Sequence, residues 1–270
     1  MDRRVFSLGS IALLSALQRV AAQTAASQTK TEPMHASIPS GAPQQIAMVV
    51  YPQMTALDLI GPQTLLAALG NVNVHLIWKS RELVTSDNGL VLQPTMSFAD
   101  CPRDLEVLFI GGGAKGTIAL MRDPAVREFL ADRGARARYV TSVCTGSLVL
   151  GSAGLLRGYK ATSHWAFREA LPLVGAELAP GRVVEDRNRI TAGGVTAGID
   201  FGLRLAARLR DERYAQMLQL AFEYDPQPPL HAGNPESAPA EVSDHLRSMY
   251  SPVLTDFETA AKEVRKTWPA

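Results

Sequence analysis

The amino-acid sequence predicts an α/β fold, a mostly parallel sheet with helices on both faces. Two observations carry this. Short apolar, β-branched runs alternate with helical patterns along most of the chain, the order that builds parallel sheets from strand–helix–strand units. The strand runs are also continuously apolar, as in QIAMVVY (45–51) and LEVLFI (105–110), which marks strands buried on both faces. With 46% hydrophobic and 20% charged residues in a chain of 270, there is enough apolar surface for one sizeable core.

Each element follows from its local signals. Gln45 to Tyr51 reads as a strand ended by Pro52, and Leu57 to Leu69 as a helix closed by Gly70-Asn71. Asn73 to Trp78 is the second strand. Asp87-Asn88-Gly89 lies between two alternating runs in residues 83–97, a hairpin signal. Leu105 to Ile110 is a strand followed at once by Gly111-Gly112-Gly113. Asp123 as cap and Pro124 at the first helical position open a helix to about Arg133. Arg138 to Val143 is a strand that runs into Cys144-Thr145-Gly146-Ser147 and a helix from Leu148 to Leu155. Val183-Val184 and Arg189 to Thr191 flank a turn at 186–188, and helices are expected at 196–209 and 212–224. Residues 225–240 are Pro-rich, and Ser243 to Trp268 reads as one or two amphipathic helices packing on the domain or on a partner. The main domain is expected over 44–225 and the C-terminal segment over 226–270.

The N-terminus has a different character. Arg3-Arg4 precedes an apolar run from Ile11 to Leu17 that is too short to span a bilayer, and Val20-Ala21-Ala22 offers a cleavage site. Residues 1–22 therefore read as a signal peptide of twin-arginine type, and residues 23–43, polar and without apolar period, as a flexible lead-in. The implied location is periplasmic, with no stable membrane anchor. Such a route carries folded proteins, so a buried thiol would form before the chain meets an oxidising space.

Bulk chemistry excludes several classes. Lys and Arg total 27 against 26 Asp and Glu, a net charge of +1, which gives no nucleic-acid footprint. Two cysteines, Cys101 and Cys144, cannot make a disulfide scaffold. The five histidines are scattered, so no metal site is expected, and no phosphate-loop or dinucleotide fingerprint calls for a cofactor. A bridge between Cys101, in a loop, and Cys144, at a strand end, is not expected.

Cys144 is the leading site candidate. A strand ends at it and a helix begins within one or two residues, a tight turn that lifts its side chain at the carboxyl edge of the sheet. The first helical N–H groups and the helix dipole would then favour the thiolate, lowering its pKa. The plainer reading is an inert core cysteine. Gly112 and Gly113, after a neighbouring strand, leave N–H groups that with the N–H of Thr145 would form an oxyanion or substrate pocket; the plainer reading is an ordinary tight turn. Asp58, early in a helix among apolar residues, is a candidate acid–base with raised pKa, or simply a carboxylate on the helix dipole. His164, beside Trp165, either orients the site or is a satisfied core group.

Five segments, in this order, resemble the DJ-1/PfpI superfamily: LDLIGP (57–62), LFIGGG (108–113), SVCTGS (142–147), ATSHW (161–165) and ITAGGVTAGID (190–200). The likeness spans roughly Ile46 to Tyr224. It implies a flavodoxin-like sandwich related to class I glutamine amidotransferase domains, a small-molecule substrate, and a homodimer. Protease-like and glyoxalase- or deglycase-like branches often carry histidine after the nucleophile and glutamate as the acid, where this chain has Thr145 and Asp58. Aspartate there, Cys-Thr-Gly at the elbow and GGVTAGIDFG (193–202) resemble the isonitrile hydratase branch. That resemblance implies hydration of R–N≡C to an N-substituted formamide, with Cys144, Asp58 and Thr145 catalytic. Sensor domains of AraC-type regulators share the Cys-Thr-Gly pattern, but the 46 residues after Tyr224 are too few for their DNA-binding module. The rival expectation is a non-catalytic thiol redox sensor or ligand-binding protein on the same fold.

Overall fold

The structure, a computed structural model, describes residues 38–268. The expected signal peptide, its cleavage site and most of the lead-in lie outside the described residues. From Ile38 the lead-in is anchored, not loose as its composition suggests: Asn71 Nδ2 donates to the carbonyls of Pro39 (2.8 Å) and Gly41 (3.4 Å), and Ile38 packs on the core.

Strand β1 (Gln44–Val49) leads to helix α1 (Ala56–Ala67) and β2 (Val72–Trp78). Strands β3 (Val84–Thr85), β4 (Val91–Leu92) and β5 (Met96–Ser97) follow. Next come β6 (Val107–Ile110), α2 (Ala114–Arg122) and α3 (Pro124–Gly134), then β7 (Tyr139–Val143) and α4 (Gly146–Ser152). A small flank contains β8 (Lys160–Ala161), a 3-10 segment (Arg168–Val174) and β9 (Glu177–Leu178). Strands β10 (Val183–Asp186) and β11 (Arg189–Ala192) precede α5 (Ala197–Leu209), α6 (Glu212–Ala221) and α7 (Ala240–Arg265).

The main sheet runs β10–β11–β7–β6–β1–β2–β5, and only β10 is antiparallel to its neighbour. Helices α1, α5 and α6 pack together on one side, and α2, α3, α4 and α7 on the other. This is the flavodoxin-like, glutamine amidotransferase-like architecture. Strand ends are aligned, since Val49 pairs with Ile110, Ile110 with Ser142, and Val143 with Ala192. The segments that leave β1, β6, β7 and β11 therefore emerge at one edge. The chain crosses from β2 over β1 to β6, so this edge contains the switch point where open α/β sheets place ligands.

Local signals acted as expected at several places. Asp123 Oδ1 caps α3 by accepting from the amides of Ala125 (3.1 Å) and Val126 (3.3 Å). Hairpin β3–β4 turns at Gly89, whose φ is 86°. It stays off the main sheet and instead pins the β1–α1 loop, where Thr55 Oγ1 donates to Asp87 Oδ2 (2.7 Å). One element differs from expectation, and the C-terminal segment takes one of the forms expected of it. Helix α2 was not anticipated, because Gly116 and Thr117 are poor helix formers; burial of Ile118, Leu120 and Met121 outweighs their propensity. The C-terminal segment forms a single helix, α7, and it packs on its own domain through Phe257, Ala260, Ala261 and Val264.

Candidate active site

Between Val143 and Gly146 only Cys144 and Thr145 turn the chain. Cys144 has φ of 59°, a left-handed conformation that costs a non-glycine residue about 1–3 kcal/mol. Bonds on both sides fix it there. Its amide donates to the carbonyls of Ala192 and Gly193, both at 3.0 Å. Its carbonyl accepts from Ser147 Oγ (3.2 Å) and Ser163 Oγ (3.0 Å). The sulfur consequently stands at the carboxyl edge of the sheet, and Cys144 is only 6% exposed.

Asp58 meets it there. The first turn of α1 carries this carboxyl to a fully buried position. Oδ2 accepts from the Gly112 amide (2.8 Å), while Oδ1 is buried without a well-aligned partner among the described residues. The Cys144 thiol is close enough that it and the carboxyl perturb one another. Burial raises the Asp58 pKa to about 7, only partly offset by the Gly112 amide and the thiol.

The direction expected for Cys144 is reversed. Burial, followed by the negative charge of Asp58, pushes its thiol well above the usual value; the Thr145 amide and hydroxyl pull the other way and are outweighed. Helix dipoles act on a thiol within the first turn, but a buried anion beside a second anion costs more. The resting cysteine is thus a neutral thiol facing a carboxyl group that titrates near neutrality.

The glycine triplet takes a different part from the one its composition suggested. Gly112 donates to Asp58, and the Gly113 amide donates to Thr145 Oγ1 (3.1 Å). Both amides hold the site's own side chains instead of opening onto a ligand; the Thr145 amide faces the sulfur. Glycine is required by close approach. A Cβ on Gly112 would lie 2.6 Å from the Thr145 amide and 2.9 Å from Cys144 Cβ, and one on Gly111 would lie 2.9 Å from Asp58 Cβ.

His164 stands to one side. Its ring packs among Trp165, Phe167 and Tyr250, with centroids 5.3–5.9 Å away, and Nδ1 accepts from the Ala166 amide (3.2 Å). Burial lowers its pKa to about 4, so the imidazole is neutral. The residue is only half-buried, and its ring lies against Gly194, next to the Gly193 carbonyl that accepts from the Cys144 amide. Its neighbour Ser163, overlooked in the sequence, is the residue that touches the elbow. Both cysteines are free thiols. Among the described residues no cluster of three or more His, Cys, Asp or Glu side chains is placed to hold a metal, and no helix is long and apolar enough to cross a membrane.

The DJ-1/PfpI family model matches residues 44–208, which contain every candidate above. The chain belongs to the DJ-1/PfpI family. Within this family it is 50% identical over 210 residues to an isonitrile hydratase of Pseudomonas putida, covering 78% of this chain and 91% of that one. A solved ThiJ/PfpI family protein from Pseudomonas syringae superposes with a TM-score of 0.82 at 50% identity, covering 86% of this chain and 96% of that one. The transcriptional regulator GbdR of Pseudomonas aeruginosa is more remote, at 26% identity over 193 residues, or 68% of this chain and 51% of the regulator.

Proposed function

We propose that this protein is a cysteine-dependent isonitrile hydratase, converting R–N≡C and water to an N-substituted formamide. One observation carries the reading: a buried neutral thiol, Cys144, lies against a buried carboxyl, Asp58, whose pKa is about 7. Such a carboxylate takes the thiol proton as sulfur bonds to the terminal isonitrile carbon, and returns it to that same carbon. The product is a thioimidate, R–N=CH–S–Cys144. Asp58, ionised again, then accepts a proton from water as its oxygen adds to the carbon. The nitrogen gains a proton, and collapse expels the Cys144 sulfur, which regains the remaining one. The atoms of one isonitrile and one water leave as R–NH–CHO. Thr145 stabilises the departing and attacking sulfur through its amide and hydroxyl. Gly112 and Gly113 support the reaction by orienting Asp58 and Thr145.

The rival role as a peroxide-sensing thiol needs an accessible thiolate, whereas Cys144 is a buried thiol. The experiment is direct. Cys144→Ala should abolish formamide formation from a simple isonitrile, followed by proton NMR, and Asp58→Asn should reduce kcat/KM by about 10²–10⁴-fold. Turnover retained by Cys144→Ala excludes the assignment.

We further propose that the protein works as a homodimer. Leu57 and Ile60, on either side of Asp58 in sequence, are exposed apolar residues that a second copy would cover. Sedimentation should give twice the chain mass; a monomer with full activity contradicts this.

A further inference from the structure

Beneath the elbow a buried row of hydroxyls leads to Thr145, and two of its members, Tyr51 and Thr117, have no part in the chemistry above. Tyr51 Oη donates to the Gly111 carbonyl (2.9 Å) and lies 3.3 Å from Thr117 Oγ1. Thr117 Oγ1 is 2.9 Å from Thr145 Oγ1, which accepts from the Gly113 amide (3.1 Å). Tyr51 and Thr117 are both fully buried, and Thr145 is 1% exposed, so no bulk water competes for these groups.

We infer that Tyr51 and Thr117 are positioning residues, forming a relay that sets whether Thr145 turns its hydroxyl proton toward the Cys144 sulfur or away from it. The inference rests on the reading of Cys144 as nucleophile. A hydroxyl donates once and accepts twice. The Tyr51 proton is committed to Gly111, so Tyr51 can only accept from Thr117. That leaves two arrangements that satisfy every donor and also keep the 2.9 Å bond between Thr117 and Thr145. In the first, Thr145 donates to Thr117 and Thr117 to Tyr51; the sulfur receives nothing from the hydroxyl. In the second, Thr117 turns round and donates to Thr145, whose own proton is freed for the neighbouring Cys144 side chain; the two side chains converge on Gly112, where an added Cβ would lie 2.6 Å from Thr145 Oγ1 and 2.9 Å from Cys144 Cβ. The link given up is the longer one, 3.3 Å, and the link kept is the 2.9 Å one. Neither arrangement leaves a buried donor unpaired, so the exchange avoids the penalty of an orphaned group. The first arrangement suits the resting thiol, and the second suits the sulfur once its proton has gone to Asp58.

Titratable groups facing this cluster are Asp58 from α1, Cys144 at the elbow, Tyr51 after β1, and Asp87 from the β3–β4 hairpin. Of these, only Tyr51 accepts from Thr117. Tyr51→Phe removes that acceptor, so Thr117 must turn to Thr145 and Thr145 to sulfur; it also removes the donor to the Gly111 carbonyl, in the same peptide as the Gly112 amide that holds Asp58, so Thr117→Val, which leaves that bond in place, is the cleaner variant. Thr117→Val removes the competing acceptor by another route and has the same consequence.

The test is the pH profile of Cys144 alkylation by iodoacetamide, with folding of each variant checked by circular dichroism. Alkylation reports the thiol whether or not an isonitrile is turned over, so failure here is distinct from failure of the hydratase reading. Tyr51→Phe should shift the profile to lower pH, with about fivefold faster alkylation near neutrality, the worth of one ordinary hydrogen bond. Thr117→Val should do the same, and decides the matter should Tyr51→Phe not fold. Thr145→Val should shift the profile to higher pH and cancel the effect of either substitution. No shift, a shift to higher pH in Tyr51→Phe or Thr117→Val, or an equal shift without the Thr145 hydroxyl overturns the relay.

Discussion

Asp58 shows how strongly burial can set the chemistry of one side chain. Its pKa rises from 3.8 to about 7 because the carboxylate is taken from water and given one well-aligned donor, Gly112, where an exposed carboxylate has several waters. The same shift bears on stability. Asp58 binds its proton more tightly folded than unfolded, so its contribution is most favourable below about pH 4 and is lost as pH rises through about 7. The total is of the order of 4 kcal/mol. Asp58→Asn, which cannot ionise, should gain stability relative to wild type between about pH 5 and pH 8; urea unfolding at both values checks this, and parallel curves for the two proteins would contradict it. Activity runs the opposite way, because the carboxylate is the form that accepts the thiol proton: kcat/KM should rise through about pH 7. Cys144 shares the lesson. A cysteine at a helix start invites the expectation of a thiolate, yet the sign depends on solvent exposure and on a carboxyl 86 positions away in sequence, and neither is written near residue 144.

At the scale of elements, the elbow and the β6 turn make the site together. Because Gly112 is wedged against Thr145 and Cys144, Gly112→Ala should drive the β6 turn and the elbow apart and cost most of the turnover while the sheet still forms; circular dichroism with an isonitrile assay separates the two effects, and full activity would show that the turn has room to spare. The elbow was legible from RYVTSV running into small residues, and the hairpin from Asp87-Asn88-Gly89. Asp58, Cys144 and Thr145 were picked out by type and place. What stayed hidden was orientation. Glycine composition promises free amides, but whether they face a ligand or the protein's own Asp58 and Thr145 is settled by partners from other elements. Thr117 was hidden because α2 carries weak helix formers and reads as loop, and Tyr51 because it looks like the last residue of an apolar strand. Of His164's surroundings, the sequence showed Trp165 but not Tyr250, which α7 brings to it.

Across the whole molecule, sheet topology is what turns three distant residues into one site. Strands β1, β6 and β7 end level, so Asp58, Gly112 and Cys144 arrive at the same buried point from separate stretches of chain. The alternation of apolar strands and helices was enough to foresee that sheet, and the family likeness its flavodoxin-like class; the strand order came from the structure. The consequence for the reaction is a thiol and a carboxyl sharing a dry edge, where a proton can pass between them but both cannot be charged without cost. Ultraviolet thiolate absorbance, titrated with pH and corrected by the Cys144→Ala variant, tests this most directly. The account predicts no Cys144 thiolate signal through neutral pH, and its appearance only well above the range of an ordinary exposed thiol, because burial and the Asp58 charge oppose ionisation. A full thiolate signal at pH 7 would contradict it.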